Sequence, residues 1–139
     1  MIVVDTNIIA HTWLPSQEKE KVRELIKIDH EWISPILWRS EMRSVLSKYM
    51  RKGLLSEAKA NEIAQCAEEQ MSGREFQVPT RIVLSKISSS KLSSYDCEFI
   101  TLAQMKGVKL ITFESKIPKE FPELAIDISD FIKKSKKAL

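Results

Sequence analysis

The first ten residues constrain the fold more than any other part of the sequence. The apolar residues 1–4 lead directly into Asp5, and a second apolar stretch follows at 8–10. A short, continuous apolar run is typical of a strand that is buried on both faces in the middle of a parallel sheet. An acid at the carboxyl end of such a strand lies where open α/β sheets build their sites. Asp5 is therefore the first candidate functional residue, although Asp also suits the simpler role of capping the next helix.

Strand-like and helix-like segments alternate along the rest of the chain. Short strands are predicted at 31–34, 76–78, 108–112 and 125–128. Helices are predicted from residue 8 to Pro15 and at about 16–28, 35–52, 56–73, 79–87 and 95–106, and 130–139 is predicted as a basic tail or helix. Strands separated by helices favour an α/β fold in which a parallel sheet is covered on both faces.

Length and composition fit an ordinary globular chain. The sequence has 139 residues, of which 43% are hydrophobic and 29% charged, and this is the size of one domain. No stretch approaches the ~18 consecutive apolar residues of a membrane span. Asp5 interrupts the first apolar run too early for a signal peptide. We therefore expect one cytoplasmic domain over 1–139, with no membrane partner and a basic C-terminal tail at about 130–139.

Charge and the cysteine and histidine content narrow the possible chemistry. There are 22 Lys and Arg against 19 Asp and Glu, and 22 − 19 = +3 permits a nucleic-acid partner without requiring one. Cys66 and Cys97 fall in predicted helices and indicate neither a disulfide framework nor a zinc site. His11 and His30 are too few and too scattered for a soft-metal ligand set.

Glu41 is the second candidate acid. In the helix predicted at 35–52 it follows Leu37 and precedes Val45 at four-residue intervals, with Trp38 and Leu46 beside them, which places Glu41 in an apolar stripe. A buried carboxylate needs a partner or a metal. Arg39 and Arg43 flank Glu41 in sequence but point to other helix faces. Glu41 is therefore either a metal ligand or the partner of a distant Lys or Arg.

Asp96 and Glu114 complete the set of acids, and each has a simpler explanation. Ser93 and Asp96 fit the capping box that opens a helix, yet Asp96 also shares a face with the apolar residue Phe99. Glu114 follows the strand predicted at 108–112 and equally fits a cap of the turn at 115–117. No single acid indicates a functional site, but the four together do, because all of them could converge at one end of a single sheet.

Four motifs resemble those of the PIN domain family. They are Val4-Asp5-Thr6-Asn7, the Ser-Pro-x₅-Glu of Ser34 to Glu41, the helix that begins Tyr95-Asp96 and continues to Leu102-Ala103, and Leu110-Ile111-Thr112-Phe113-Glu114. The likeness spans 2 to about 128, and a chain of this length resembles the toxin ribonucleases of VapC type. The resemblance implies a three-layer α/β/α sandwich with a mostly parallel central sheet. The motif acid after the last core strand is usually Asp, and here it is Glu114.

The resemblance also implies a site and partners. Asp5, Glu41, Asp96 and Glu114 would bind Mg²⁺ or Mn²⁺, while Asn7 and Thr112 would orient these ligands or a bound water. Carboxylates without His or Cys suit such hard ions. The implied reaction is hydrolysis of RNA to 5′-phosphate and 3′-hydroxyl ends. The implied partners are an RNA substrate, a second copy of the chain and a cognate antitoxin.

The sequence alone also allows other functions. One is a PIN nuclease of RNA processing that is not a toxin. A phosphoryl-transfer domain also places acids at strand ends, although one of phosphatase type would carry a second acid where Asn7 stands. A non-catalytic RNA-binding domain is the last alternative.

Overall fold

The computed structural model describes residues 1–138 and contains eight helices and five strands within that range. The strands are β1 (Ile2–Val4), β2 (Trp32–Pro35), β3 (Glu75–Phe76), β4 (Leu110–Thr112) and β5 (Ala125–Asp127). The helices are α1 (Thr6–Trp13), α2 (Lys19–Ile28), α3 (Trp38–Arg51), α4 (Glu57–Gln70), α5 (Thr80–Ser88), α6 (Ser94–Lys106), α7 (Lys116–Glu120) and α8 (Ile128–Lys137).

The five strands form one parallel sheet in the order β3-β2-β1-β4-β5. Strand β1 lies at the centre, where Val3 pairs with Ile33 on one side and with Leu110 on the other. All three residues of β1 are buried. The predicted parallel sheet with the first strand at its middle is confirmed.

Helices cover both faces of the sheet and create two apolar cores. Alternate residues of a strand point to opposite faces, so Ile2 and Val4 enter one core and Val3 the other. Helices α1, α2, α3, α4 and α8 contribute buried residues to the first core, and α5, α6 and α7 contribute to the second. This is the three-layer α/β/α sandwich that the family resemblance implies.

The predicted start of α3 was wrong. Pro35 ends β2 instead of opening the helix, which begins at Trp38. Proline fits this strand because the ladder to β3 uses its neighbours: the amide of Ser34 donates to the Arg74 carbonyl and the amide of Ile36 donates to Phe76. The short run after Pro35 is therefore a strand-to-helix connection.

The chain after β5 is helical. Helix α8 covers most of the predicted basic tail, and Leu139 lies outside the described residues. Lys136 of this helix lies 3.0 Å from the Glu24 carboxylate of α2. No helix within residues 1–138 is both long enough and apolar enough to cross a membrane.

Candidate active site

A cleft of about 200 Å³ opens beyond the carboxyl ends of β1 and β4. It contains five of the six residues predicted for the site, namely Asp5, Asn7, Glu41, Asp96 and Glu114. The remaining lining residues are Thr6, Ser44, Val45, Lys48, Phe99 and Ile117. The sixth predicted residue, Thr112, is buried next to the cleft and contacts Asp5. The four acids come from four different elements or strand ends, so the fold brings them to one place.

Asp5 is both a helix cap and a residue of the cleft. Its Oδ1 accepts a hydrogen bond from the Ile8 amide at 3.1 Å and thereby caps α1. Its Oδ2 accepts from the Thr112 hydroxyl and from the Phe113 amide, the latter at 3.2 Å. Burial raises the pKa of Asp5 to about 6, although these three hydrogen bonds act in the opposite direction. The two roles considered for Asp5 in the sequence are thus compatible.

Thr112 links two of the acidic residues. Its hydroxyl donates to Asp5, and the same oxygen accepts from the Glu114 amide at 2.9 Å. A threonine at the end of β4 therefore fixes the Asp5 carboxylate and the backbone from which the Glu114 side chain projects. The role of Thr112 in orienting metal ligands stays a prediction, and the structure shows the contact with Asp5 on which that role depends.

Glu41 lies in the first turn of α3 and is half-buried. Its Oε1 accepts from the Thr6 hydroxyl at 2.6 Å. Burial is the main cause that raises the pKa of Glu41; the Thr6 bond opposes it, and the Asp96 and Glu114 carboxylates add to it. Within residues 1–138, Glu41 has no Lys or Arg partner in an ion pair, so the distant salt bridge considered for it is absent there.

The stripe of α3 that enters the core agrees in part with the predicted one. The buried residues of this helix are the predicted Trp38 and Leu46 together with Met42. Val45 is partly buried against the same core and also lines the cleft beside Glu41. One face of α3 therefore packs on the sheet and the adjoining face forms a wall of the cleft. Glu41 belongs to the second face.

Only one of the two hydrogen bonds of the predicted capping box forms at Asp96. The Ser93 hydroxyl accepts from the Asp96 amide at 3.1 Å and caps α6. The Asp96 carboxylate accepts no amide hydrogen bond among the described residues; its Oδ2 lies instead 3.4 Å from Nζ of Lys116. The Asp96 side chain thus faces the ammonium of Lys116 and does not close the capping box.

Glu114 has a similar environment. Its Oε2 lies 3.7 Å from Lys116 Nζ, and this oxygen is buried without a hydrogen-bond partner. Ser115, not Glu114, occupies the position before α7, and no side chain caps that helix. The alternative in which Glu114 caps the turn is therefore not realised.

Three residues close to the acids, Thr6 and Lys48 of the cleft lining and Lys116 beside it, were not identified as site residues from the sequence. Thr6 follows Asp5 directly, and its contact with Glu41 spans 35 positions, which no local pattern reveals. Lys48 lies seven positions after Glu41 on the same helix face, and this spacing could have identified it as a neighbour of the site. Lys116 is the first residue of α7 and pairs with both Asp96 and Glu114.

The donor set of the cleft fits a hard divalent ion. Its acids offer only carboxylate oxygens, and the buried Glu114 Oε2 has no hydrogen bond to satisfy it. As the side chains stand, no three His, Cys, Asp or Glu residues in the range 1–138 lie close enough to enclose a metal ion. Lys116 lies close to one oxygen of Asp96 and one of Glu114, which are oxygens that an ion would need.

Comparison with known proteins identifies the family. The PIN domain family model matches residues 2–122. Ribonuclease VapC3 of Pyrobaculum aerophilum is 24% identical over 126 residues, which are 88% of this chain and 96% of that protein. The structure of PAE2754 from Pyrobaculum aerophilum has a TM-score of 0.74 at 18% identity, covering 98% of this chain and 96% of the other. FitAcB from Neisseria gonorrhoeae has a TM-score of 0.72 at 17% identity, covering 93% and 99%. Since the family model spans most of the sequence, the chain belongs to the PIN domain family.

Proposed function

We propose that this PIN domain is a Mg²⁺- or Mn²⁺-dependent ribonuclease of VapC type that hydrolyses RNA phosphodiester bonds. The observation that carries the proposal is the convergence of Asp5, Glu41, Asp96 and Glu114 on one cleft at the carboxyl end of the sheet. The similarity to a protein named Ribonuclease VapC3 over most of both chains supports the same activity.

In this proposal the four carboxylates hold the divalent ion. A bound ion would lower the pKa of a water near the phosphate and offset the negative charge that builds up in the transition state. Thr112 and the Phe113 amide hold the Asp5 carboxylate, and Thr6 holds Glu41, so two of the four ligands are fixed by hydrogen bonds. Asn7 lines the cleft and orients the attacking water.

The substrate lies along the wall that α3 forms. Glu41, Ser44 and Lys48 follow one another at helical spacing along this wall. Lys48 is exposed and has no carboxylate partner within residues 1–138, so its ammonium is available for a backbone phosphate. The phosphate next to the one that is cleaved would be held in this way.

The resemblance to VapC-type toxins supports a set of partners. We propose that the protein acts in the cytoplasm as the toxin of a toxin–antitoxin pair, forms a homodimer and is inhibited by a cognate antitoxin. The family likeness also implies 5′-phosphate and 3′-hydroxyl products.

The proposed activity is tested by incubating the purified chain with total cellular RNA and mapping the new ends. We expect cleavage with Mn²⁺ or Mg²⁺, no cleavage in EDTA, and ends that ligate only as 5′-phosphates. RNA that is bound but left intact in the presence of either ion would favour the non-catalytic RNA-binding alternative.

Metal binding should also stabilise the fold in a pH-dependent manner. Saturating Mn²⁺ at 100 times Kd adds about 2.7 kcal/mol to the free energy of unfolding by mass action. Burial raises the pKa of Asp5 to about 6 and also raises that of Glu41, so near pH 5 a proton occupies Asp5 in most molecules. The ion must displace this proton, and we expect Mn²⁺ to bind about tenfold more weakly near pH 5 than near pH 7.5.

Thermal unfolding in EDTA and in excess Mn²⁺ at the two pH values measures this effect. A midpoint that does not respond to Mn²⁺ at either pH would contradict the metal site. An equal response at both pH values would contradict only the role assigned to the proton on Asp5.

A further inference from the structure

Lys116 contacts two of the four acids of the cleft. Its Nζ lies 3.4 Å from Asp96 Oδ2 and 3.7 Å from Glu114 Oε2. Among residues 1–138 neither acid has another ion-pair partner, and Asp5 and Glu41 are bound only by uncharged hydroxyl and amide donors. Lys116 is thus the one cationic side chain among the described residues that contacts the acids of this site.

The ammonium of Lys116 and a divalent ion would need the same oxygens. Asp96 Oδ2 and Glu114 Oε2 face Lys116, and a divalent ion on the same oxygens would repel the nearby ammonium, so the two cations compete for these carboxylates. The Lys116 side chain is 62% exposed, while those of Asp96 and Glu114 are 18% and 39% exposed. An ion pair with such an exposed, flexible partner is weak, so a divalent ion can displace it.

We propose that Lys116 is a positioning residue that competes with the divalent ion for Asp96 and Glu114 and thereby sets the metal affinity of the site. This inference rests on the proposed function. Without metal, Lys116 holds the two carboxylates together and offsets their mutual repulsion. When the ion binds, the ammonium leaves these oxygens and remains at the mouth of the cleft.

The test is calorimetric titration of the full chain with MnCl₂ near pH 7.5. Lys116→Met removes the competing charge but keeps an unbranched chain of similar length. We expect Lys116→Met to bind Mn²⁺ about tenfold more tightly than the parent, as befits the loss of two exposed ion pairs. Lys116→Arg keeps the charge and should bind no more tightly than the parent.

Lys119→Met is the matched control, because Lys119 is also exposed on α7 and has no carboxylate partner within the described residues. Its Mn²⁺ affinity should stay within about twofold of the parent value, since a distant exposed charge is largely screened. A second readout is the midpoint in EDTA, which should fall slightly for Lys116→Met and stay constant for Lys119→Met.

Each other outcome overturns the inference. Equal Mn²⁺ affinities for the parent and Lys116→Met would leave the proposed nuclease intact and remove the competing role of Lys116. Equal gains in Mn²⁺ affinity for Lys116→Met and Lys119→Met would show that the effect comes from net charge and not from the contacts of Lys116. If neither the parent nor Lys116→Met binds Mn²⁺, the inference and the proposed metal dependence both fail.

Discussion

Replacing Asp5 with Asn is expected to lower RNA cleavage at least about a hundredfold while the protein stays folded. Asn matches Asp in size, but it cannot supply the negative charge that a metal ligand provides, and damage to a ligand shell typically has an effect of this order. The measurement is the initial cleavage rate of a fixed RNA at saturating Mn²⁺. If the variant cleaves RNA as fast as the parent, Asp5 acts only as a helix cap.

The stability of Asp5→Asn depends on two opposing effects. Burial raises the pKa of Asp5 from 3.8 to about 6, so ionised Asp5 lowers the free energy of unfolding at pH 7 by about 3 kcal/mol. Asn removes this cost. Its amide group, however, must face at least one of the donors on Ile8, Thr112 and Phe113, which costs about 1–3 kcal/mol. We expect the two effects largely to cancel near pH 7.

The difference in stability between the two proteins should change with pH. Folding raises the pKa of Asp5, so the folded state binds this proton more tightly than the unfolded state does. The resulting stabilisation is fully present below about pH 4 and is lost as the pH rises through about 6. Asn does not titrate. The stability of Asp5→Asn relative to the parent should therefore rise over this interval, which urea unfolding in EDTA at both ends of it would measure.

Asp127 offers a matched control for the capping role of Asp5. It is the last residue of the parallel strand β5 and also caps a helix, since its Oδ1 accepts from the Ser129 amide at 2.8 Å. It does not line the cleft. Asp127→Asn should cleave RNA at the parent rate. A loss of cleavage as large as that of Asp5→Asn would indicate that cleavage depends on the charge at a helix start and not on the cleft.

Local sequence patterns predicted the elements that a short segment determines by itself. The mainly apolar runs around β1 and β4 predicted buried strands, and an acid follows each strand within two residues. Gly107 ends α6 with a left-handed backbone at φ 65°, as its position after the last helical residue predicted. The acids at the two strand ends, Asp5 and Glu114, were placed in the cleft for the same local reason.

Contacts between distant segments were not predictable from one sequence. The bond from Thr6 to Glu41 and the ion pair of Lys116 with Asp96 depend on how α1, α3, α6 and α7 meet at the sheet edge. The order of the five strands has the same origin, because β1 pairs with β4 more than a hundred positions away. These features follow from packing and not from any local periodicity.

Helix α3 shows how a correct pattern led to a partly wrong assignment. Leu37, Glu41 and Val45 have the spacing of an inward stripe, but the buried residues are the neighbouring Trp38, Met42 and Leu46, and Val45 is only partly buried. A helix beside a cleft carries apolar residues on two adjoining faces, so the periodicity alone does not say which face is buried. Glu41 was nevertheless a correct choice for the cleft, because a carboxylate in either stripe requires a partner.

Asp96 allows capping and metal binding to be separated by substitution. The cap of α6 is the Ser93 hydroxyl, which accepts from the Asp96 amide, whereas the Asp96 carboxylate faces Lys116. Ser93→Ala removes the cap and should lower the free energy of unfolding by about 1 kcal/mol. It leaves the carboxylate in place, so its Mn²⁺ affinity should match that of the parent.

Asp96→Asn should show the opposite pattern, in which Mn²⁺ affinity and RNA cleavage are lost and the metal-free protein is as stable as the parent or more so. Removing one of several crowded like charges relieves repulsion with Glu41, and the lost pair with the exposed Lys116 contributes little. Glu114→Gln should show a weaker form of this pattern, because its longer side chain reaches an ion through water. Calorimetric Mn²⁺ titration and urea unfolding of Asp96→Asn and Ser93→Ala beside the parent measure both quantities. Equal Mn²⁺ affinities for the parent and Asp96→Asn would remove Asp96 from the site and leave three acids, too few for the ligand set proposed here.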